Sequence, residues 1–191
     1  MNAQSPSVTQ LLAQARAGSP GARDAAYELV YAELKRLAHR QLRARGAATL
    51  CTTALVHEAY VRLSGAEVTP HDRRHLIALG ARAMRFVLVD HARRAMALKR
   101  EGQLQTLSVS NDYADNADAA RVTDILALDQ ALQRMSDLDA RLAQVVEWRF
   151  FGGMSETEIA AELGVTERTV QRDWRRARAF LHAELHEADT P

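Results

Sequence analysis

The sequence predicts an all-α fold, arranged as two small helical domains joined by a flexible acidic linker. Three observations carry that prediction. Ala, Leu, Arg and Glu dominate a chain of 191 residues that holds only 9 Gly and 4 Pro, a composition that favours helix over sheet. Apolar residues recur at spacings of three and four, and no sustained period-two run of β-branched residues occurs. Charge is sorted rather than spread: the net charge is only +1, yet residues 73–100 carry eight Lys or Arg against one acid, Asp90, while residues 101–139 carry eight acids against two Arg. Two basic modules therefore flank an acidic connector.

The elements follow in order. After a tail over residues 1–7, Val8 to Ala17 forms a short helix closed by Gly18. Ser19 and Pro20 restart the chain, and Ala26, Val30, Leu34, Leu37 and Ala38 mark one face of a helix from Gly21 to Arg45 that Gly46 ends. Thr52 or Thr53 is the expected cap of a third helix running through Ser64, with Leu55, Val56, Ala59, Tyr60 and Leu63 on its apolar face. A loop containing Pro70 leads to a long helix from about Arg73 to Glu101, whose stripe passes through Leu76, Leu79, Ala83, Phe86 and Val87. These elements make a first domain over residues 8–101. Residues 102–122 are polar and acidic with no periodic apolar face, the pattern of a flexible linker. A second domain over residues 123–187 opens with one helix marked by Ile125, Leu128, Leu132 and Met135. Another is marked by Leu138, Leu142, Val145 and Val146 and ends at Gly152 and Gly153.

The most informative stretch is Met154 to Leu185. Ser155 followed by Glu156 and Glu158 starts a helix, because a hydroxyl caps free backbone N–H groups while carboxylates oppose the positive end of the helix dipole. Gly164 stops it in the left-handed region, and Thr166 starts a second helix with Val170, Trp174, Ala177 and Leu181 on its inner stripe. Small Ala160 at the crossing, the Gly164 turn and apolar Val165 and Val170 are the features of a DNA-binding helix-turn-helix. The second helix carries Arg168, Arg172, Arg175, Arg176 and Arg178 against Glu167 and Asp173, which suits phosphate; the bland alternative is a helical hairpin with a solvated basic face.

Other chemistry finds little support. The single cysteine, Cys51, excludes an internal disulfide and a zinc site of several thiolates. The N-terminal stretch lacks a basic and apolar signal pattern, and no run approaches the ~20 apolar residues of a membrane span, so a cytosolic protein is expected. Two histidine pairs have the i, i+4 spacing that can share a metal, His71 with His75 and His182 with His186. HAELH is not the HExxH arrangement, and no third ligand is evident in the sequence for either pair. No metal and no cofactor is expected. Without a phosphate-cradling Gly loop or a GxSxG elbow, nothing assembles an enzyme site.

The run from Ser136 to Leu181 resembles the minus-thirty-five reading domain of bacterial sigma factors, particularly the small extracytoplasmic-function group. It presents, in order, Trp148-Arg149-Phe150-Phe151, Glu158-Ile159-Ala160, Leu163-Gly164, Thr169-Val170 and Arg176-Ala177-Arg178. Upstream, Ala54 to Leu63 is similar to the family's core-polymerase-binding helix and His75 to Arg94 to its minus-ten melting helix. The resemblance covers Val8 to Leu185 and implies a factor that binds core RNA polymerase and promoter DNA and is not itself a catalyst.

Carried over residue by residue, it implies polymerase contacts at Leu55, Val56, His57, Glu58 and Tyr60. It implies contacts to opened DNA at Arg73, Arg74, His75, Arg82, Arg85, Arg93 and Arg94, and minus-thirty-five contacts at Arg168, Thr169, Gln171, Arg172, Arg175, Arg176 and Arg178. Phe86 lies on the apolar stripe and is expected in the core, and Trp174 is expected as an anchor between the hairpin helices. One departure stands out. The family's acidic cluster ahead of the polymerase-binding helix reads here Cys51-Thr52-Thr53-Ala54, with no carboxylate, as in a branch where a threonine takes the place of the acids and is proposed to be phosphorylated. Thr53, then Thr52, are the candidate sites, and a Ser/Thr kinase or an anti-sigma factor is a candidate partner. A stand-alone helix-turn-helix regulator and a helical metalloenzyme are the competing readings.

Overall fold

The computed structural model describes residues 6–45, 50–65, 69–100 and 112–187. Among them there are eight α-helices, one π-helical turn and no strand, as the composition predicts. Helix α1 (Val8–Arg16) begins at Ser7, whose hydroxyl and Gln10 form a reciprocal capping box. Gly18, at φ +84°, makes the turn after it. Helices α2 (Ala22–Arg45), α3 (Thr52–Ser64) and α4 (Arg73–Arg100) follow, close to the expected boundaries. Gly46, expected to end α2, and Glu101 lie outside the described residues.

The cap of α3 is a correction. Cys51, in extended conformation, occupies the cap position and its sulfur accepts from the Ala54 N–H at 3.4 Å, so Thr52 and Thr53 are the first two residues inside the helix. Neither hydroxyl caps it, because the chain turns into helix one residue earlier than a threonine cap requires.

The connector is a second correction. Helix α5 runs Asp112–Leu138, so the 112–122 half of the expected linker is helical; residues 102–111 lie outside the described residues. Val122 and Leu126 pack against a cluster of Val89, Ala92 and Ile125, docking α5 on α4. Once that contact pins one turn, extending the helix through alanine-rich sequence costs little.

Helix α6 (Ala140–Val146) is capped by Asp139, which accepts from the Arg141 and Leu142 N–H groups, and runs into the π-helical turn Glu147–Phe151. Helices α7 (Glu156–Leu163) and α8 (Glu167–Glu187) complete the chain. Between them Gly164 sits at φ 65°, ψ 32°, the left-handed turn its position predicts.

The two expected modules are not separate bodies in this arrangement. One core cluster extends from Val8, Leu34 and Met84 to Leu132, Met135, Phe151 and Ala177, and Ala78 of α4 joins the cluster of Ile159, Ala160 and Val170. At the crossing of α2 and α4, a Cβ on Gly80 would lie 2.7 Å from the buried Leu34 side chain. That glycine lets α2 and α4 approach closely within the first module, while Ala78, Val89 and Ala92 of α4 meet the second.

Candidate nucleic-acid interface

Helix α8 sorts its charge by depth. Arg168, Gln171, Arg172, Arg175, Arg176 and Arg178 are exposed, whereas Asp173 is 0 % exposed. Asp173 falls on the Val170–Ala177 stripe and faces Arg141 of α6, whose Nε lies 2.8 Å away. The outer surface of α8 is therefore more basic than its residue count suggests. Spacing makes this legible in the sequence, since position 173 is three after Val170 and four before Ala177.

The rest of the hairpin holds that surface in place. Ser155 and Glu158 form the capping box that starts α7, and Thr169 N–H donates to the Thr166 hydroxyl at the start of α8. Gln171 donates to Glu156 at 2.7 Å, while Arg149 bonds the same carboxylate and holds it below the usual carboxylate range. Trp174, half-buried, packs against both core clusters as an anchor, with the Arg149 and Arg178 guanidiniums over its ring at 4.9 and 5.9 Å. Thr169 is half-buried and its hydroxyl lies 3.0 Å from that of Thr166, so it helps cap α8 rather than standing among the exposed residues.

On α4 the expected DNA residues divide. Arg73, Arg74, Arg82, Arg93 and Arg94 are exposed, but Arg85 is buried. Arg85 bonds Asp129 of α5 and, at 2.7 Å, Glu147 of the π-helical turn. Arg82 lies 3.4 Å from Glu147, Arg93 bonds Asp129 at 3.2 Å, and Arg74 is 3.5 Å from Glu158 of α7. Arg73 pairs within its own module, with Glu33 of α2 at 2.7 Å. Acids of the second module thus cover much of the basic face that the sequence assigns to DNA. No local spacing in the sequence connects Asp129 and Glu147 to Arg85, 44 and 62 positions away.

Phe86 corrects another expectation. It is half-buried rather than core, with the guanidiniums of Arg62, Arg82 and Arg85 at 5.6, 5.5 and 4.5 Å from its ring. It lines the cleft between α4 and the second module with Leu132 and Gln144.

His75 is half-buried at the start of α4, where Asp72 accepts its backbone N–H at 2.8 Å. Burial first, then the neighbouring His71, hold its imidazole below the ordinary histidine range. A carboxylate that the sequence does not bring to this pair comes from α7: Glu162 lies 2.8 Å from His71.

On α3, Leu55 and Val56 are buried in the core, Tyr60 is half-buried, and His57 and Glu58 are exposed. The Tyr60 hydroxyl bonds Asp24 of α2, which pushes its pKa up, and Glu58 accepts from or pairs with His91 at 3.2 Å. Val61, 70 % exposed, shares the outer face with His57 and Glu58. Thr53 is exposed, whereas Thr52 is half-buried and lines a cleft of about 760 Å³ with Lys35, Arg36, His39 and Arg40 of α2.

Among the described residues no helix is long and apolar enough to cross a membrane. No curated protein and no solved structure matches the chain at a significant level. The family model described as ECF sigma factor matches residues 5–187, a span that takes in α3, the basic α4 and the whole helix-turn-helix, and the chain therefore belongs to the ECF sigma factor family.

Proposed function

We propose that three faces of this chain divide the work of its family, which is promoter-specific transcription initiation through RNA polymerase. Helix α8 reads the minus-thirty-five element, α4 handles opened DNA at minus-ten, and the outer face of α3 docks on core polymerase. The observation that carries the reading is the charge sorting of α8: five arginines stand outward while the acid among them is buried on Arg141. Such a face gains sequence-independent affinity from phosphates and leaves Arg172 and Gln171 for base edges.

The exposed members of α3 are His57, Glu58 and Val61, and these form the docking face; Leu55 and Val56 act by holding the helix to its core. No carboxylate precedes the helix to meet a basic partner. Phosphorylation of Thr53 supplies one. The hydroxyl is exposed at the second position of α3, where the helix dipole favours the roughly −1.5 to −2 charge of a phosphate at neutral pH.

The test is binding to purified core polymerase and transcription from the chain's own promoters, comparing unmodified, phosphorylated, Thr53→Ala and Thr53→Asp proteins. The expected order is phosphorylated, then Asp, then unmodified and Ala. An active Thr53→Ala protein equal to phosphorylated wild type overturns the switch, and a chain that binds promoter DNA but never core polymerase is a stand-alone regulator.

A further inference from the structure

We propose that His71, His75 and Glu162 form a divalent-metal site of the zinc class, which clips α7 of the second module to the start of α4 in the first. One ligand atom from each of the three side chains lies within 4.8 Å of the others, and no other group of three such residues occurs among the described residues. His71 Nε2 lies 2.8 Å from Glu162 Oε1, and the Nδ1 atoms of His71 and His75 are 2.6 Å apart. The two rings are tilted at 50° with centroids 4.3 Å apart. These contacts are satisfied with both imidazoles neutral, His75 donating to His71 and His71 to Glu162. Neutral imidazole is the form that binds a metal.

Two imidazole nitrogens and one carboxylate oxygen are a zinc donor set, with a fourth tetrahedral position left for water. Zinc at ~2.0–2.2 Å from each donor spaces its ligand atoms about 3.3 Å apart, so rotation of the exposed His71 ring accommodates the ion. The Glu162 side chain is 11 % exposed and that of His71 51 %, which leaves the site most open to solvent on the His71 side. The start of a helix is unfavourable ground for a cation. Here the Glu162 and Asp72 carboxylates offset the dipole, and the neighbouring Arg73 and Arg74 are paired with Glu33 and Glu158. The other histidine pair differs. His182 and His186 stack at 3.9 Å, His186 Nδ1 lies 2.9 Å from the His182 carbonyl oxygen, and among the described residues no carboxylate completes a triad.

Because the ligands come from both modules, the ion binds the closed arrangement, in which Arg85 is buried, and not an opened one. At free metal about 100 times its dissociation constant, the opened population falls about 100-fold. This consequence for activity rests on the sigma-factor reading; the site itself does not.

The experiment titrates the full chain with Zn²⁺ by calorimetry, and with Co²⁺ followed by its visible ligand-field bands. The expected result is one metal per chain, with His71→Ala and Glu162→Gln each weakening binding at least about tenfold and His182→Ala leaving it unchanged. Wild-type affinity in Glu162→Gln, or no saturable binding at submillimolar metal, overturns the site. A second arm measures binding to core polymerase with and without Zn²⁺. Loss on zinc addition in wild type but not in Glu162→Gln is expected, and equal binding in both overturns the lock. A chain that never binds polymerase, with the titration as expected, fails the sigma reading and leaves the metal site standing.

Discussion

Single residues of α8 do two different jobs, and depth separates them. Arg172 is exposed and lies 3.8 Å from the buried Asp173 carboxylate that Arg141 holds at 2.8 Å, so the same substitution has different signatures at the two positions. Arg172→Ala removes a candidate base contact worth about 1–3 kcal/mol of discrimination. It is expected to relax promoter choice and, since its Nε is the more distant partner of Asp173 at 3.8 Å, to cost less stability than loss of Arg141. Binding measured across a set of promoter variants checks this, and an equal loss on every sequence reassigns Arg172 to phosphate. Arg141→Ala removes the nearer cation from a fully buried carboxylate and leaves it only the exposed Arg172, whose Nε lies 3.8 Å away, a change that costs about 3 kcal/mol. Urea unfolding is the measurement, and a loss under about 1 kcal/mol means Asp173 finds another partner. The basic outer face was legible from residue types alone. The burial of Asp173 was present in the spacing but masked by counting charges without assigning faces.

At the scale of elements, local signals placed the helices well and failed where packing overrode them. The Ser155–Glu158 box and Gly164 define α7 as local chemistry requires. The Ser155 backbone N–H, then its hydroxyl, holds the Glu158 carboxyl below its ordinary 4.5. A depressed acid contributes stability that is fully present above its unfolded pKa and is lost as pH falls through the folded value. Wild type is therefore expected to lose more stability than Glu158→Gln between about pH 7 and about pH 3, with the change concentrated below 4.5. Parallel pH profiles for the two proteins would show that the box adds nothing at this position. The start of α3 and the course of α5 depart from the local signals for one reason. Local propensity weighs each residue alone, whereas Cys51 caps through the path of the incoming chain and α5 is held by Val89 and Ala92 of a distant helix.

At the scale of the molecule, α4 belongs to both modules. Its apolar face completes the core, and its basic face is met by Asp129, Glu147 and Glu158. Work on opened DNA requires those pairs to part. Arg82, half exposed in its side chain and 3.4 Å from Glu147, is the informative position. Arg85 is not, since its removal leaves buried Glu147 and part-buried Asp129 with only the exposed Arg82 and Arg93 as partners and destabilises the fold by about 3 kcal/mol. Arg82→Ala is expected to lower transcription from duplex promoters several-fold and to spare templates with a pre-melted bubble. Equal impairment on both templates would mean that Arg82 binds duplex or only steadies the closed arrangement.

The sequence by itself determined that the chain is helical, where most helices begin and end, that a helix-turn-helix with a basic outer face closes it, and which family it resembles. All of these follow from periodicity, caps and motifs that act within a few residues. Only the tertiary structure decided that the two modules share a core, that Arg85 lies between Asp129 and Glu147, and that Glu162 meets His71. Those contacts join side chains far apart along the chain, and no local pattern encodes which acid of an evenly acidic segment will face which arginine. Burial made the choice. Once Val122, Leu126 and Ala78 bring the apolar faces together, the carboxylates at the rim are left opposite the nearest guanidiniums.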